Sequence, residues 1–201
     1  MVEIHGFAEA RFSRVKDAFA ANFEAGEELG ARFTLVERGE TVVDLWAGHA
    51  DKAKTRAFDE RTLVPVFSTG KAVVAAMVAR LVDAGRLAYG QRVAEVWPEF
   101  AQAGKADVTV EQALSHQAGL VGFREPMDAQ GWLDWDLICA RLAAMAPVWP
   151  PGAASGYHPV TYGYIAGEIF RRVDGRTIGL ALHDDVAGPA DLDLWIGLPD
   201  A

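Results

Sequence analysis

A single cysteine, Cys139, occurs in 201 residues, so no disulfide can form within the chain. Cationic clusters are equally scarce. Acidic residues number 28 against 19 lysines and arginines, a formal charge of −9. No basic run or aromatic-basic stripe offsets it, so neither nucleic acid nor an anionic membrane is expected as a partner. The longest apolar stretch, residues 72–82, is too short for a membrane span of about 20 residues and contains Arg80. The start, Met1-Val2-Glu3-Ile4-His5-Gly6, lacks the basic and apolar regions of a signal peptide. His5, His49, His116, His158 and His183 show no metal-ligand spacing. Dinucleotide, phosphate-loop and G-x-S-x-G signatures are missing too, so neither metal nor other cofactor is expected. A cytoplasmic protein is the expectation these features set.

What remains is an ordinary globular composition, 51% hydrophobic and 23% charged. At this length a chain buries about 70% of its unfolded surface, enough for one domain or slightly more. Helical spacing covers 12–29, with Phe12, Val15, Phe19 and Phe23 as the apolar stripe. Two strand-like runs, 32–36 and 41–46, flank Glu37-Arg38-Gly39-Glu40, a hairpin signal. A third apolar run, Leu63-Val64-Pro65-Val66-Phe67, also reads as strand. Beyond it the chain reads as mostly helical. A helix runs from 68 to Asp83-Ala84-Gly85, with residues 72–79 apolar all round and so expected to be buried. Thr109-Val110-Glu111-Gln112 is a capping-box pattern. Further helices are expected over 132–145, 161–173 and 178–185. Pro147 to Gly152 opens an irregular stretch.

The chain has four serines and five lysines, yet two S-x-x-K matches. Ser68-Thr69-Gly70-Lys71 sits at the start of the apolar helix, where residues three apart share a face with Cβ atoms about 5–6 Å apart. A serine hydroxyl is a weak nucleophile and needs an adjacent base, and a lysine in a desolvated site can provide one. Ser13-Arg14-Val15-Lys16 lies among charged residues on the polar side of its helix. It is expected to be exposed and inert.

Tyr157 lies in the irregular stretch before the 161–173 helix. A phenol beside a serine and a lysine can relay a proton, though its spacing alone marks it only weakly. His116 closes a helix before a glycine turn, where a structural hydrogen bond is the expected role. Ser115 and His116 are adjacent and point about 100° apart, so they form no catalytic pair. Cys139 reads as a core hydrophobe. Trp97, Trp132, Trp135 and Trp149 read as core, with Trp149 an option for walling a pocket beside Tyr157.

Taken in order, Val66-Phe67-Ser68-Thr69-Gly70-Lys71, Leu114-Ser115-His116-Gln117-Ala118-Gly119-Leu120, Trp149-Pro150-Pro151-Gly152 and Tyr157-His158-Pro159-Val160-Thr161-Tyr162-Gly163 resemble the class C β-lactamase-like serine hydrolases. Within them the set looks most like the family VIII carboxylesterases. The resemblance spans residues 30–198 and implies an α/β (α+β) fold of the β-lactamase and penicillin-binding-protein type. Residues 1–60 would form the N-terminal helix and hairpin, and 61–201 the mostly helical region. It further implies Ser68 as acyl-accepting nucleophile, Lys71 as its activator and Tyr157 as proton relay on a small ester substrate. The Ser68 N–H would be half of an oxyanion hole.

Two departures qualify the match. Pro159 stands where the lactamases have an asparagine, which favours an esterase over a β-lactamase or D-alanyl peptidase. The family's later strands and third motif are expected beyond Leu198-Pro199-Asp200-Ala201. That leaves a third reading, a catalytically incomplete module that binds ligands or partners, with self-association or a complementing C-terminal polypeptide to match.

Overall fold

A computed structural model describes residues 2–197. Leu198 to Ala201, where the resemblance places the start of the later segment, lie outside the described residues. The chain divides into two compact units, Met1–Pro65 and Val66–Ala201.

The first unit is an antiparallel sheet with one helix. Strands β1 (Ile4–Ala8), β2 (Gly30–Glu37) and β3 (Glu40–Gly48) take the order β1-β3-β2, and α1 (Ser13–Glu24) lies between β1 and β2 in sequence. The expected hairpin is present. Its two loop residues, Arg38 and Gly39, have φ of 52° and 87°, the mirror-image turn whose twist matches the flanking strands. Strand period places Val43, Leu45 and Ala47 on one face, where they bury with Phe19, while Phe12, Val15 and Phe23 pack alongside. On the other face Arg32 makes a two-pronged ion pair with Asp44, at 2.9 and 2.8 Å, and Thr34 donates to the same carboxylate.

Two strand expectations need correction. β1 was not foreseen, because Gly6 interrupts a run of only five residues. That glycine is what permits the pairing, since a Cβ there would stand 1.9 Å from the Asp44 carbonyl oxygen. Conversely, 63–67 is not a strand. Residues 62–66 are irregular and Phe67 opens a 3₁₀ turn. Pro65 has no N–H to give a ladder, and Leu63, Val64, Val66 and Phe67 are all exposed.

The second unit is helical: α2 (Gly70–Asp83), α3 (Val93–Val96), α4 (Val110–Leu114), α5 (Trp135–Ala144), α6 (Thr161–Asp174) and α7 (Ile178–Leu182), the last running into a π turn at His183–Ala187. Val74, Met77, Val78 and Leu81 of α2 share a core with Ile165, Ala166, Ile169 and Phe170 of α6, and with Trp97, Phe100, Ile138 and Leu142. The α2 surface is not apolar-buried all round as expected. Ala72 and Ala76 are exposed, so small side chains form an open face and the larger Val74, Met77, Val78 and Leu81 the core.

Three polar devices fix the helices. The Thr109 hydroxyl accepts from the Gln112 N–H, and the Gln112 side chain accepts from the Thr109 N–H, the expected capping box. Lys105 is fully buried and donates to the carbonyls of Gln102, Ala143 and Met145 at 2.8, 3.0 and 2.6 Å, closing the C-terminal end of α5. Burial pushes its ammonium down to about 8. Glu168, also buried, accepts from Trp135 Nε1, Arg171 and Arg172. Burial works to raise its carboxyl, but those donors outweigh it and hold the group at about 2.

Candidate active site

All three residues that the resemblance singles out belong to the second unit. Ser68 sits in the 3₁₀ turn Phe67–Thr69 that leads into α2, and Lys71 is the second residue of that helix. The turn-to-helix junction sets both on one side, with Lys71 Nζ 3.1 Å from Ser68 Oγ. First-turn backbone N–H groups, Ser68's among them, lack an intrahelical acceptor. The junction itself is strained. Phe67 has φ of +46°, an outlier for a bulky residue, and its side chain is 87% exposed.

Tyr157 comes from the other side of the unit's sequence. It lies between α5 and α6 on the irregular segment 146–160, which Pro147, Pro150, Pro151 and Gly152 keep out of helix. The Tyr157 hydroxyl donates to Ser68 Oγ at 2.5 Å across 89 residues of chain. Lys71 Nζ lies 5.0 Å from the centre of the Tyr157 ring and 5.8 Å from that of Tyr162. Its second hydrogen bond goes to the carbonyl of Pro159, at 2.8 Å. The hydrogen bond with Ser68, and then the nearby Lys71 ammonium, hold the Tyr157 phenol below its usual value. Ser68, Lys71 and Tyr157 thus meet at a single point, on the exposed side of the unit.

The segment carrying Tyr157 is tied to the 114–120 segment. Gly152 N–H donates to Gln117 O, Val148 N–H to Gly119 O and Gly156 N–H to His116 O. Leu120 N–H donates to His158 Nε2 at 3.0 Å, and His158 Nδ1 is 2.6 Å from Gly156 O. His158 is fully buried, and burial holds its imidazole below the usual value. The Trp149 ring underlies Gly156, where a Cβ would meet it at 2.4 Å. Its Nε1 is buried and has no hydrogen-bond partner among the described residues.

The sequence expectation for His116 as a hydrogen-bonding residue holds, its Nδ1 accepting from the His158 N–H. Ser115 turns away and donates to Glu111 O at 2.7 Å. Cys139 is in the core, as expected. Ser13 and Lys16 are exposed on α1, as the decoy match requires. Sequence reasoning missed two contributors. Pro159 lacks a side-chain amide, yet its carbonyl holds Lys71. Tyr162 presents a ring face to the same ammonium. No sequence signal marks a carbonyl, whereas Tyr162 was already visible as an aromatic in the first turn of α6. Among the described residues no group of three His, Cys, Asp or Glu side chains is placed to hold a metal ion.

A small antiparallel sheet with a helical body is the fold of the β-lactamase and penicillin-binding-protein group, and solved structures of that group superpose on this chain. A sequence profile described as Beta-lactamase matches residues 15–201, and the chain belongs to that family. A novel penicillin-binding-protein homolog from Caulobacter crescentus superposes with a TM-score of 0.94 at 63% identity, over 98% of this chain and 53% of that one. A family VIII carboxylesterase superposes with a TM-score of 0.90 at 50% identity, over 98% and 55%. The esterase/beta-lactamase LipL of Mycobacterium tuberculosis is 37% identical over 199 residues, 98% of this chain and 46% of that protein. The chain spans about half the length of these relatives.

Proposed function

We propose that this chain carries the nucleophile and proton-transfer groups of a serine hydrolase that cleaves small carboxylic esters through an acyl-enzyme on Ser68. The observation that carries this reading is the position of Ser68 Oγ, 2.5 Å from the Tyr157 hydroxyl and 3.1 Å from Lys71 Nζ. Both distances suit direct proton transfer. In its phenolate form, which the ammonium of Lys71 favours, Tyr157 takes the proton from Ser68 as Oγ attacks the ester carbonyl. The tetrahedral intermediate collapses as the ester C–O bond breaks, and Tyr157 returns the proton to the departing alkoxide. Water repeats the cycle on the acyl-enzyme. The Ser68 N–H, free in the first helical turn, is one donor to the oxyanion.

Esters are favoured over β-lactams by Pro159. It contributes a carbonyl to Lys71 and has no side-chain amide to hold an acylated lactam. The names of the relatives, an esterase/beta-lactamase and a carboxylesterase, fit that preference without fixing a substrate. Intact mass after exposure to a fluorophosphonate, with p-nitrophenyl acetate and nitrocefin turnover on the same sample, tests the proposal. One adduct lost in Ser68→Ala, with ester turnover exceeding lactam turnover, is the expected result. Labelling that survives Ser68→Ala overturns it.

A further inference from the structure

Tyr157 has no secondary structure to hold it, yet its hydroxyl must stay within hydrogen-bond reach of Ser68 for the proposed chemistry. The peptide N–H groups on either side of it both end on one residue. Gly156 N–H donates to the His116 carbonyl at 3.0 Å, and His158 N–H donates to His116 Nδ1 at 3.2 Å. The His116 ring also packs against Tyr157, with centroids 5.1 Å apart, and against Tyr162 at 5.0 Å. Presenting carbonyl and ring to the same segment requires an unusual backbone, and His116 has φ of +64° just past the end of α4. A left-handed residue without glycine's freedom carries strain, which persists where the surroundings demand that geometry.

We propose that His116 is the positioning residue of Tyr157, holding the phenol against Ser68 by accepting both flanking N–H groups. This rests on the acyl-transfer reading above for its consequence, though not for its geometry. Because Nδ1 accepts, the neutral ring carries its proton on Nε2. The titratable groups that face it are Lys71 from α2, Tyr157 and His158 from the 146–160 segment, and Tyr162 from α6. No carboxylate hydrogen-bonds to it among the described residues, so nothing there favours an imidazolium. Protonation would remove the acceptor for His158 N–H and set a second cation beside Lys71. Burial, and then Lys71, hold the His116 imidazole below its usual value. The clamp therefore stays closed at neutral pH and opens on acidification.

The test compares the wild type with His116→Ala, which deletes the ring acceptor, and His116→Asn. Asparagine keeps an acceptor near the Nδ1 position, tolerates the left-handed backbone and does not titrate. Ser68 acylation by a fluorophosphonate is followed against pH, with kcat and KM for p-nitrophenyl acetate and the Tyr157 titration by ¹³C NMR of the labelled ring. Misplacement of a reacting group by about 1 Å costs roughly 10²-fold. His116→Ala should lose that much in acylation rate and kcat with KM little changed, and its Tyr157 pKa should rise towards that of a free phenol. His116→Asn should recover most of the rate near pH 8 and lose the acid limb of the profile. Wild-type rates and an unmoved Tyr157 titration in His116→Ala overturn the proposal. If His116→Ala does not fold, a 10²-fold loss in folded His116→Asn overturns it. If the wild type is never labelled at Ser68, the acyl-transfer reading fails, and the tyrosine titration still decides whether His116 positions the phenol.

Discussion

The Tyr157 hydroxyl donates to Ser68 Oγ at 2.5 Å, although 89 residues separate them in the chain. Two short segments, the turn before α2 and the irregular stretch before α6, contribute one hydroxyl each. The helices behind them share a core, so the pair is fixed by packing well away from the reacting atoms.

Only one of the two S-x-x-K matches should react. Ser13→Ala is expected to leave fluorophosphonate labelling and ester turnover unchanged, because Ser13 and Lys16 stand exposed on α1. Ser68→Ala should abolish labelling, and Tyr157→Phe should slow it by about 10²–10⁴-fold, the range for a lost general base. Labelling rates on the three variants decide this. Equal losses in Ser13→Ala and Ser68→Ala would show that context does not separate the motifs.

Much of this was legible beforehand. The 70–83 helix announces itself by its apolar run and the 161–174 helix by its span, each with a glycine beyond its end, and the Thr109 capping box by its four letters. Ser68 and Lys71 could be paired from spacing, because both lie on one helical turn. Tyr157 could not, since nothing local brings a loop residue to a distant serine. Only the ordered motif set pointed to it. β1 escaped notice because Gly6 is there for the Asp44 carbonyl, a neighbour distant in sequence. The 63–67 run misled for the opposite reason: apolar letters report composition, and exposure depends on what else comes near.

Acid should weaken the second unit before its carboxylates are protonated. His158 is buried with Nε2 accepting from Leu120 N–H, and its pKa lies below the ordinary 6.5. An unfolded chain takes up this proton first as pH falls. The contribution of neutral His158 is thus complete above about 6.5 and is lost as pH drops from there through the lower folded value. Urea midpoints are expected to fall between about pH 7.5 and 5.5, and to fall less in His158→Gln. Identical midpoints at the two pH values would contradict this.

Glu168→Ala should be strongly destabilising. The carboxylate is buried under two arginines and the Trp135 indole, and its removal leaves those donors without their acceptor. A loss of about 3 kcal/mol is expected, the lower end for breaking a buried ion pair, since both arginines are partly exposed. With a pKa of about 2 against an ordinary 4.5, the stabilisation is present above 4.5 and disappears as pH falls through about 2. Calorimetric Tm at neutral pH checks the first part, and a shallower acid transition in the variant checks the second.

The first unit should associate through its sheet. Among the described residues β1 and β2 each pair on one side only, and Phe7, Phe33 and Val36 are exposed on them. Unpaired strand edges of this kind are templates for another chain. Light scattering should show self-association at micromolar concentration, relieved by adding a polypeptide that completes the sheet. A monodisperse monomer would rule this out.

The bend before α2 is held by a residue poorly suited to it, Phe67. Its left-handed backbone costs roughly 1 kcal/mol that asparagine would mostly avoid, and an 87% exposed ring returns little packing. A laboratory selection for thermostability alone would therefore be drawn to Phe67→Asn. The residue next in line is Ser68, whose hydroxyl that bend delivers to Tyr157. Asparagine holds the same left-handed bend, so the exchange should raise Tm and leave fluorophosphonate labelling of Ser68 in place.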